Sequence, residues 1–338
     1  MSKLNILYLG PDEGTSHHRF HALRRLGHTV RLINPYVVFA GKPRMRSLGF
    51  KTGYAGFESA IERRILSEAG SERFDVVWVD NGEYVGKHLA LALKDKCDFL
   101  LAHNLDNPFT SRDGWRWRLF RQALPTYDLF VTPRQTSRAP ALAQGARRAL
   151  AVMFSADEVV HRGAELDQAD LRRFGSEVVF VGTWMPERGP FMQRLLERGV
   201  PLKIFGPRWT KAREYSSLAS VVLSRELQDI DYVKAISGAK IALGLLSKGN
   251  EDLHTTRSLE IPSIGTVFCA PRTVDHESLY VDRREALFFD DADECADLCL
   301  RYLQDDASRA EIAAAGHARA LENGHFNERL CAEILSNL

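Results

Sequence analysis

Acidic and basic side chains that could hold a charged, hydroxyl-rich ligand are concentrated between residues 248 and 269, KGNEDLHTTRSLEIPSIGTVFC. Asp252 and Glu260 supply carboxylates, which accept strong hydrogen bonds from sugar hydroxyl groups. Lys248 and Arg257 supply cations, which attract phosphate. This combination is what recognition of a phosphorylated sugar or a nucleotide requires.

The elements around this stretch predict how it is positioned. Apolar runs at residues 241–246 and 266–270 are typical of buried strands. Between them we expect a polar loop and a short helix that starts at Thr255 or Thr256, because Thr is a good N-cap. Pro262 and Gly265 are expected to end this helix early. The polar groups then lie at the carboxyl end of the first strand and at a helix N-terminus, where open α/β sheets bind ligands and attract phosphate.

A second group of polar residues follows the predicted strand 97–102. His103 and Asp106 come directly after it, and histidine titrates near neutral pH, as a general base must. Asp80 and Glu83, after the neighbouring predicted strand, are alternative bases. The competing interpretation is that His103 and Asp106 satisfy each other at the end of the strand.

Composition restricts the classes of protein that remain. The chain has 338 residues, 45% hydrophobic and 26% charged, and this predicts two globular domains. A net charge of +1 gives no basic field for nucleic acid. We find no 18-residue apolar run and expect neither a membrane span nor a signal peptide.

The five cysteines are predicted to be reduced core residues: Cys97, Cys269, Cys295, Cys299 and Cys331. Cys295 and Cys299 are one helical turn apart, but no histidine or cysteine pair with metal-ligand spacing stands beside them. Reduced cysteines favour a cytoplasmic location.

Predicted strands alternate with predicted helices in both halves, which indicates two doubly wound parallel sheets. We predict an N-terminal domain at 1–165, a C-terminal domain at 175–310 and terminal helices at 311–338, with a linker inside residues 154–174. The terminal helices are expected to pack back toward the N-terminal domain. Residues 34–56 are predicted to be a long loop. The first βα turn lacks the GxGxxG pattern, which disfavours a nicotinamide dehydrogenase.

Several segments carry a resemblance to a known family. In the second half they are VVFVGTWMPERGPF, AISGAKIALGLL, HTTRSLEIPSIGTVFCAPRTVDHESLY and EALFFDDADE; in the first half they are AHNLDNPF, YDLFVTPR and GARRALAVMFSADEVVH. From about Phe74 onward, the chain resembles glycosyltransferases of the two-Rossmann GT-B type. It is most similar to the bacterial branch named for the spore-maturation protein CgeB.

The resemblance implies roles for individual residues. Such enzymes carry two acids with seven residues between them, matched here by Asp252 and Glu260, with Asp in place of the first Glu. It implies that Glu260 binds the ribose of a donor nucleotide and that Asp252 faces the donor sugar. The diphosphate would be bound by cations and a helix start, which in this sequence are Arg188, Lys248, Arg257, Thr256 and, more weakly, Arg208. Each of these side chains could instead be a solvated surface group.

The resulting hypothesis is a cytoplasmic transferase that moves a hexose from a nucleotide-diphosphate sugar to a glycan, a lipid-linked or another acceptor. His103 and Asp106 would act in an N-terminal acceptor domain that faces a C-terminal donor domain across a cleft. No cofactor or metal is expected, since the sequence has no Asp-x-Asp motif. A nucleotide-sugar epimerase and a non-catalytic nucleotide- or glycan-binding partner remain as alternatives, and peripheral membrane contact and oligomeric state are left open.

Overall fold

The computed structural model describes residues 2–223 and 226–338. It divides into two compact units, Met1–Met153 with Asn327–Leu338, and Phe154–Phe326. The chain therefore leaves the first unit before the predicted boundary at residue 165 and returns to it near its end. Among the described residues, no helix has the length and apolar character needed to cross a bilayer.

The first unit is built on a six-stranded parallel sheet in the order β2-β1-β3-β4-β5-β6. Its strands are β1 (Asn5–Leu9), β2 (Thr29–Ile33), β3 (Phe74–Asp80), β4 (Cys97–His103), β5 (Leu129–Thr132) and β6 (Ala149–Ala151). Successive residues of a strand enter opposite cores: Leu7 and Val77 pack on one face, and Tyr8 and Trp78 on the other. Burial on both faces explains why the inner strands β1, β3 and β5 are largely apolar.

Helices cover both faces of this sheet. They are α1 (Gly14–Arg25), α2 (Pro43–Thr52), α3 (Glu58–Ala69), α4 (Lys87–Lys94), α5 (Arg118–Ala123) and α6 (Arg138–Ala143). Short 3-10 helices lie at Pro35–Phe39, Leu124–Thr126 and Gln135–Ser137.

The prediction of a long loop over residues 34–56 is wrong, because this segment contains a 3-10 helix and α2. Pro43 starts α2, and Gly53, in the left-handed region at φ 59°, ends it. Gly49 is the buried residue of the helix and packs against Tyr54 and Phe39. With so little apolar surface facing the core, α2 lacks the periodicity that identifies a helix from sequence.

The second unit is built on a five-stranded parallel sheet in the order β11-β10-β9-β7-β8. Its strands are β7 (Ser176–Val181), β8 (Leu202–Phe205), β9 (Ala239–Leu243), β10 (Val267–Pro271) and β11 (Leu287–Phe289). Its helices are α7 (Gln168–Phe174), α8 (Arg188–Glu197), α9 (Tyr215–Leu218), α10 (Asp229–Ser237), α11 (Arg257–Ile264), α12 (Val274–Leu279), α13 (Ala292–Leu303) and α14 (Asp306–Asn323). Two further 3-10 helices are Trp209–Lys211 and Lys248–Asn250.

The last helix, α15 (Asn327–Leu335), belongs to the first unit. It packs against α1 and contributes Leu330, Cys331 and Ile334 to the core on the Tyr8 face of the sheet. Pro262 lies inside α11 rather than ending it; the helix continues to Ile264, and Gly265 stops it with φ 96°.

Candidate functional site

The second unit has its topological switch point between β7 and β9, because the chain moves from β7 to β8 on one side and then to β9 on the other. The loops that leave the carboxyl ends of these two strands therefore diverge, and ligands bind in such crevices. The loop after β7 leads into α8, and the loop after β9 leads into α11. Most of the predicted donor-site residues lie on these two loops and helix starts.

Arg188, the first residue of α8, joins the two loops. Its guanidinium donates to the carbonyl oxygen of Thr183 (2.8 Å) and to those of Leu245 (3.1 Å) and Leu246 (3.3 Å). Only 7% of the residue is exposed, and its Nε is buried without a hydrogen-bond partner in the described part of the chain. Burial, together with the nearby Arg257 charge, lowers the pKa of Arg188 to about 10.

Arg257 begins α11 and carries the second guanidinium of this region. It donates to the Thr256 hydroxyl (3.2 Å) and lies 5.7 Å from the centre of the Tyr232 ring. Burial acts to lower the pKa of Arg257, but the Glu260 and Tyr232 charges outweigh it and raise that pKa. Within residues 2–223 and 226–338, neither Arg188 nor Arg257 forms a salt bridge with a carboxylate.

The loop between β9 and α11 carries Lys248 and Asp252. The Lys248 side chain is exposed, and its backbone N–H donates to Glu187 Oε1 at 3.2 Å, which joins this loop to the one after β7. Asp252 is half-buried, and its charge acts to raise the pKa of Arg188. Glu251, between them, has a left-handed backbone with φ 58°, a conformation that a non-glycine residue seldom adopts.

Glu260 is buried on the first turn of α11, with 3% of the residue exposed. Tyr232 donates its hydroxyl to Glu260 Oε2 (2.8 Å), and His161 Nε2 lies 3.7 Å from Oε1. Burial alone would raise the pKa of Glu260, but the charges of His161 and Arg257 and hydrogen bonds from Tyr232 and Thr256 lower it. The structure therefore keeps an ionised carboxylate in a buried position.

Sequence reasoning missed His161 and Tyr232. His161 Nδ1 accepts a hydrogen bond from the Asp157 backbone N–H at 2.8 Å, so a neutral ring carries its proton on Nε2, towards Glu260. Tyr232 comes from α10, far from α11 in sequence. Neither residue has a spacing relation to Glu260, and only the fold brings the three together.

Arg208 stands on a separate loop, after β8. Its side chain is exposed and its backbone is left-handed with φ 70°. Just before it, Gly206 (φ 148°) packs so closely against the backbone of Gly182 that a Cβ would overlap the Gly182 carbonyl oxygen. This glycine contact brings the loops after β7 and β8 together, so Arg208 belongs to the same rim of the sheet as Arg188 without sharing its hydrogen bonds.

In the first unit, His103 ends β4 and is 1% exposed. Burial, assisted by the nearby Arg19 charge, lowers the pKa of His103 well below its usual value, so its ring is neutral at physiological pH. The ring packs edge-to-face against Trp78 with centroids 5.7 Å apart. Its Nδ1 is buried and has no hydrogen-bond partner among the described residues.

Asp106 is engaged by arginines rather than by His103. Its carboxylate accepts from Arg116 (2.9 Å) and Arg112 (3.4 Å). The idea that His103 and Asp106 satisfy each other at the strand end therefore does not fit the contacts of Asp106.

The two alternative bases are also held by other groups. Asp80 forms a buried salt bridge with Arg19, with both carboxylate oxygens within 2.9 Å of one guanidinium nitrogen. Glu83 accepts from Tyr36 (2.8 Å), Tyr54 (2.6 Å) and Arg116.

The thiols of Cys269, Cys295 and Cys299 lie within 4.8 Å of one another in the core of the second unit. Spacing indicated only that the last two are neighbours. Three sulfurs could hold a soft metal ion if they were deprotonated. Hydrogen bonds with the other two thiols and burial raise the pKa of Cys269, whereas hydrogen bonds from Cys269 and Cys295 lower the pKa of Cys299. All three thiols are buried in the apolar core of the second unit.

Comparison with known proteins bears on both the family and the fold. A family model described as "Glycosyl transferase-like" matches residues 188–336, from Arg188 through α15. No curated protein matches the chain.

Solved structures match over the whole length. Sucrose-phosphate synthase from Thermosynechococcus elongatus has 12% identity and a TM-score of 0.66, with 98% of this chain and 97% of that chain covered. HepE from Anabaena, in complex with UDP-glucose, has 13% identity and a TM-score of 0.65, covering 99% and 100%. An Escherichia coli trehalose-6-phosphate structure bound with UDP-2-fluoro glucose has 11% identity and a TM-score of 0.62, covering 98% of each chain.

At these identities the shared property is the fold, and the predicted architecture of two parallel α/β domains of GT-B type is confirmed. Over residues 188–336, the family model adds a similarity to glycosyl transferases. The narrower CgeB-like branch stays a prediction.

Proposed function

We propose that this chain transfers a hexose from a nucleotide-diphosphate sugar to a hydroxyl-bearing acceptor, without a metal ion. The acceptor is a glycan, a lipid-linked sugar or another hydroxyl compound. Uridine diphosphate sugars are the first donors to test, since the HepE and Escherichia coli structures of the same fold hold UDP-glucose and UDP-2-fluoro glucose.

The observation that carries the proposal is the pair of guanidinium groups at the switch point. Arg188 and Arg257 each begin a helix, and neither is neutralised by a carboxylate salt bridge in the described chain. Burial and repulsion by the Arg257 charge destabilise the charged form of Arg188 and lower its pKa. A bound diphosphate would stabilise the charged guanidinium groups. In turn, the negative charge that the diphosphate gains as a leaving group would be stabilised by cations and helix N-termini already in place. Lys248 adds an exposed cation from the neighbouring loop.

We assign Glu260 to the ribose. A carboxylate has about four acceptor positions, and Tyr232 and Thr256 each occupy one of them. The lowered pKa keeps Glu260 ionised, as a charge-assisted bond to a diol requires. Asp252, on the preceding loop, is proposed to face the donor sugar, and Arg208 the outer part of the nucleotide.

On the acceptor side we assign His103 and Asp106. A neutral imidazole with a lowered pKa has weak proton affinity and is a poor general base near pH 7. We therefore propose that His103 orients a hydroxyl through a hydrogen bond rather than removing its proton. Replacing His103 by Ala is expected to reduce turnover by about tenfold or more, as for loss of a hydrogen bond to a reacting group. Full activity of His103→Ala would remove this residue from the catalytic set.

Calorimetry with UDP and with uridine tests the diphosphate site directly. We expect UDP to bind the wild-type chain more tightly than uridine, because only UDP engages the cations. In the Arg188→Met and Arg257→Gln proteins, the ratio of the uridine Kd to the UDP Kd should fall by about tenfold or more. Arg194→Gln is the matched control, since Arg194 lies on α8 but forms an exposed pair with Asp293 (2.8 Å).

Turnover is then measured as release of nucleotide from a panel of donors, with and without acceptors. Conversion of a donor to another sugar in the absence of acceptor would indicate an epimerase. Nucleotide binding without turnover across the panel would indicate a non-catalytic partner. Equal affinity of the wild-type chain for UDP and uridine would overturn the diphosphate assignment.

A further inference from the structure

The surface of α2 and the adjoining Trp115 has an unusual composition. Between residues 34 and 57 the sequence has four cations, Lys42, Arg44, Arg46 and Lys51, and no acidic residue. Every residue of α2 is exposed except Gly49, which is buried, and Thr52, which is partly so. Large apolar side chains are exposed on the same helix, with Leu48 at 53% and Met45 and Phe50 somewhat less.

Trp115 extends this surface. It is 67% exposed, the largest exposed fraction of any tryptophan in the described chain. Its backbone carbonyl lies against Gly53, the residue that ends α2, where a Cβ would overlap it. The next residue, Arg116, stacks over the Phe50 ring at 4.3 Å. Trp115 and α2 therefore form one continuous surface, the α2–Trp115 surface.

The arrangement of side chains on α2 suits contact with a flat, charged, partly apolar layer. Gly49 marks the inward direction. Arg44, Leu48 and Lys51 follow at i, i+4 and i+7 and so share the opposite, outward face. Arg46, by contrast, is already engaged with the Tyr36 ring (4.9 Å) and with Glu13 (3.8 Å).

We propose that the α2–Trp115 surface docks this chain onto an anionic lipid bilayer. Basic side chains attract anionic headgroups, Leu48 enters the headgroup boundary, and tryptophan prefers that same interface. A second copy of this chain is a poor occupant, since a two-fold contact would place like charges against each other. The proposal stands independently of the sugar-transfer function, because it needs no turnover for its test.

Vesicle co-sedimentation tests the surface. We expect the protein to bind vesicles of phosphatidylcholine with about 30 mol % phosphatidylglycerol at low salt, to bind pure phosphatidylcholine poorly, and to be released by about 500 mM salt. Arg44→Gln with Lys51→Gln should weaken partitioning about 30-fold, because each substitution removes the attraction of one cation to the anionic surface. Arg172→Gln with Lys211→Gln is the control, since both residues are exposed cations of the second unit and the net charge changes equally.

Fluorescence tests the apolar part. Transfer of Trp115 into the headgroup region should shift the emission to shorter wavelength on addition of anionic vesicles, and Trp115→Phe should abolish the shift. The remaining tryptophans are buried or partly buried, so their contribution should not change.

Three results would overturn the proposal. One is absence of sedimentation with anionic vesicles at low salt. Another is equal binding by wild type and the Arg44 and Lys51 double variant, with the fold of both verified by circular dichroism. The third is evidence for a different partner of the surface. Such evidence would be a dimer in light scattering that Leu48→Ser dissociates, or retention on single-stranded RNA in preference to vesicles.

Discussion

Glu260 shows how a single side chain can be prepared for a ligand by its neighbours. It is buried, yet His161, Arg257, Tyr232 and Thr256 together lower its pKa. Desolvation of an unpaired carboxylate would be costly, so these partners are required for the folded state itself. Since the same groups fix the direction of its oxygens, stability and ligand binding are linked at this position.

Replacing Glu260 by Gln is expected to weaken nucleotide binding by about 1.5–3 kcal/mol, the range for a hydrogen bond to a charged group. Gln keeps the size and can still accept from Tyr232, so the loss reports the charge. Calorimetric titration with the tightest nucleotide measures it. Glu277→Gln on α12, where the carboxylate is exposed, should leave the affinity unchanged. An unchanged affinity in Glu260→Gln would exclude the ribose role.

At the scale of elements, α11 is held against α12 by a buried histidine. His276 donates from Nδ1 to the Pro271 carbonyl (2.7 Å) and accepts at Nε2 from the Ser258 hydroxyl (2.8 Å), which in turn accepts from the Thr255 backbone N–H (3.0 Å). This chain of hydrogen bonds fixes the start of α11, on which Arg257 and Glu260 stand.

The buried His276 should make stability depend on pH. Burial lowers the pKa of His276 to about 4, against about 6.5 in the unfolded chain. Between these values the unfolded chain binds a proton that the folded chain excludes, so the free energy of unfolding falls as the pH falls. From pH 6.5 to 5 the loss is about 2 kcal/mol. Denaturant unfolding at several pH values measures it, and His276→Gln, which cannot titrate, should show a smaller loss; an equal loss in both would contradict the assignment.

The contact between the loops after β7 and β8 depends on Gly206. A Cβ there would overlap the Gly182 carbonyl, and its φ of 148° is unfavourable for other residues. We expect Gly206→Ala to cost more than about 2 kcal/mol of stability and to weaken nucleotide binding. Gly199→Ala is the matched control, because φ is also positive (83°) but the space around it is open; it should cost about 1 kcal/mol. Equal effects in thermal unfolding would show that the loop contact is unimportant.

At the scale of the whole molecule, all five cysteines are buried. Burial raises the pKa of Cys97 to about 11 and so removes the reactive thiolate. We expect a thiol reagent such as Ellman's reagent to label none of them rapidly in the native protein and all of them in denaturant. Rapid labelling of one or more thiols before unfolding would reveal local opening of a core that the structure shows closed.

The alternation of strands and helices could be predicted because each buried parallel strand is a continuous apolar run. The strand predicted at residues 97–102, for example, is β4 at Cys97–His103. The loop prediction for residues 34–56 failed because the glycines and prolines of this segment are typical of loops, and because the side chains of α2 face outward. At the site, charged residues that follow strands could be identified from local sequence. His161 and Tyr232 could not, since their proximity to Glu260 is a long-range consequence of folding.

The return of α15 to the first unit has a consequence for how the chain is made. In the sequence, the second unit is inserted between two parts of the first. The two ends of the inserted unit meet where Ala156 pairs with Phe326. During synthesis, the core around Tyr8 and Trp78 cannot receive Leu330 and Ile334 until the whole second unit has been made. The inserted unit can therefore complete its own fold first, whereas its host is completed only when α15 has left the ribosome.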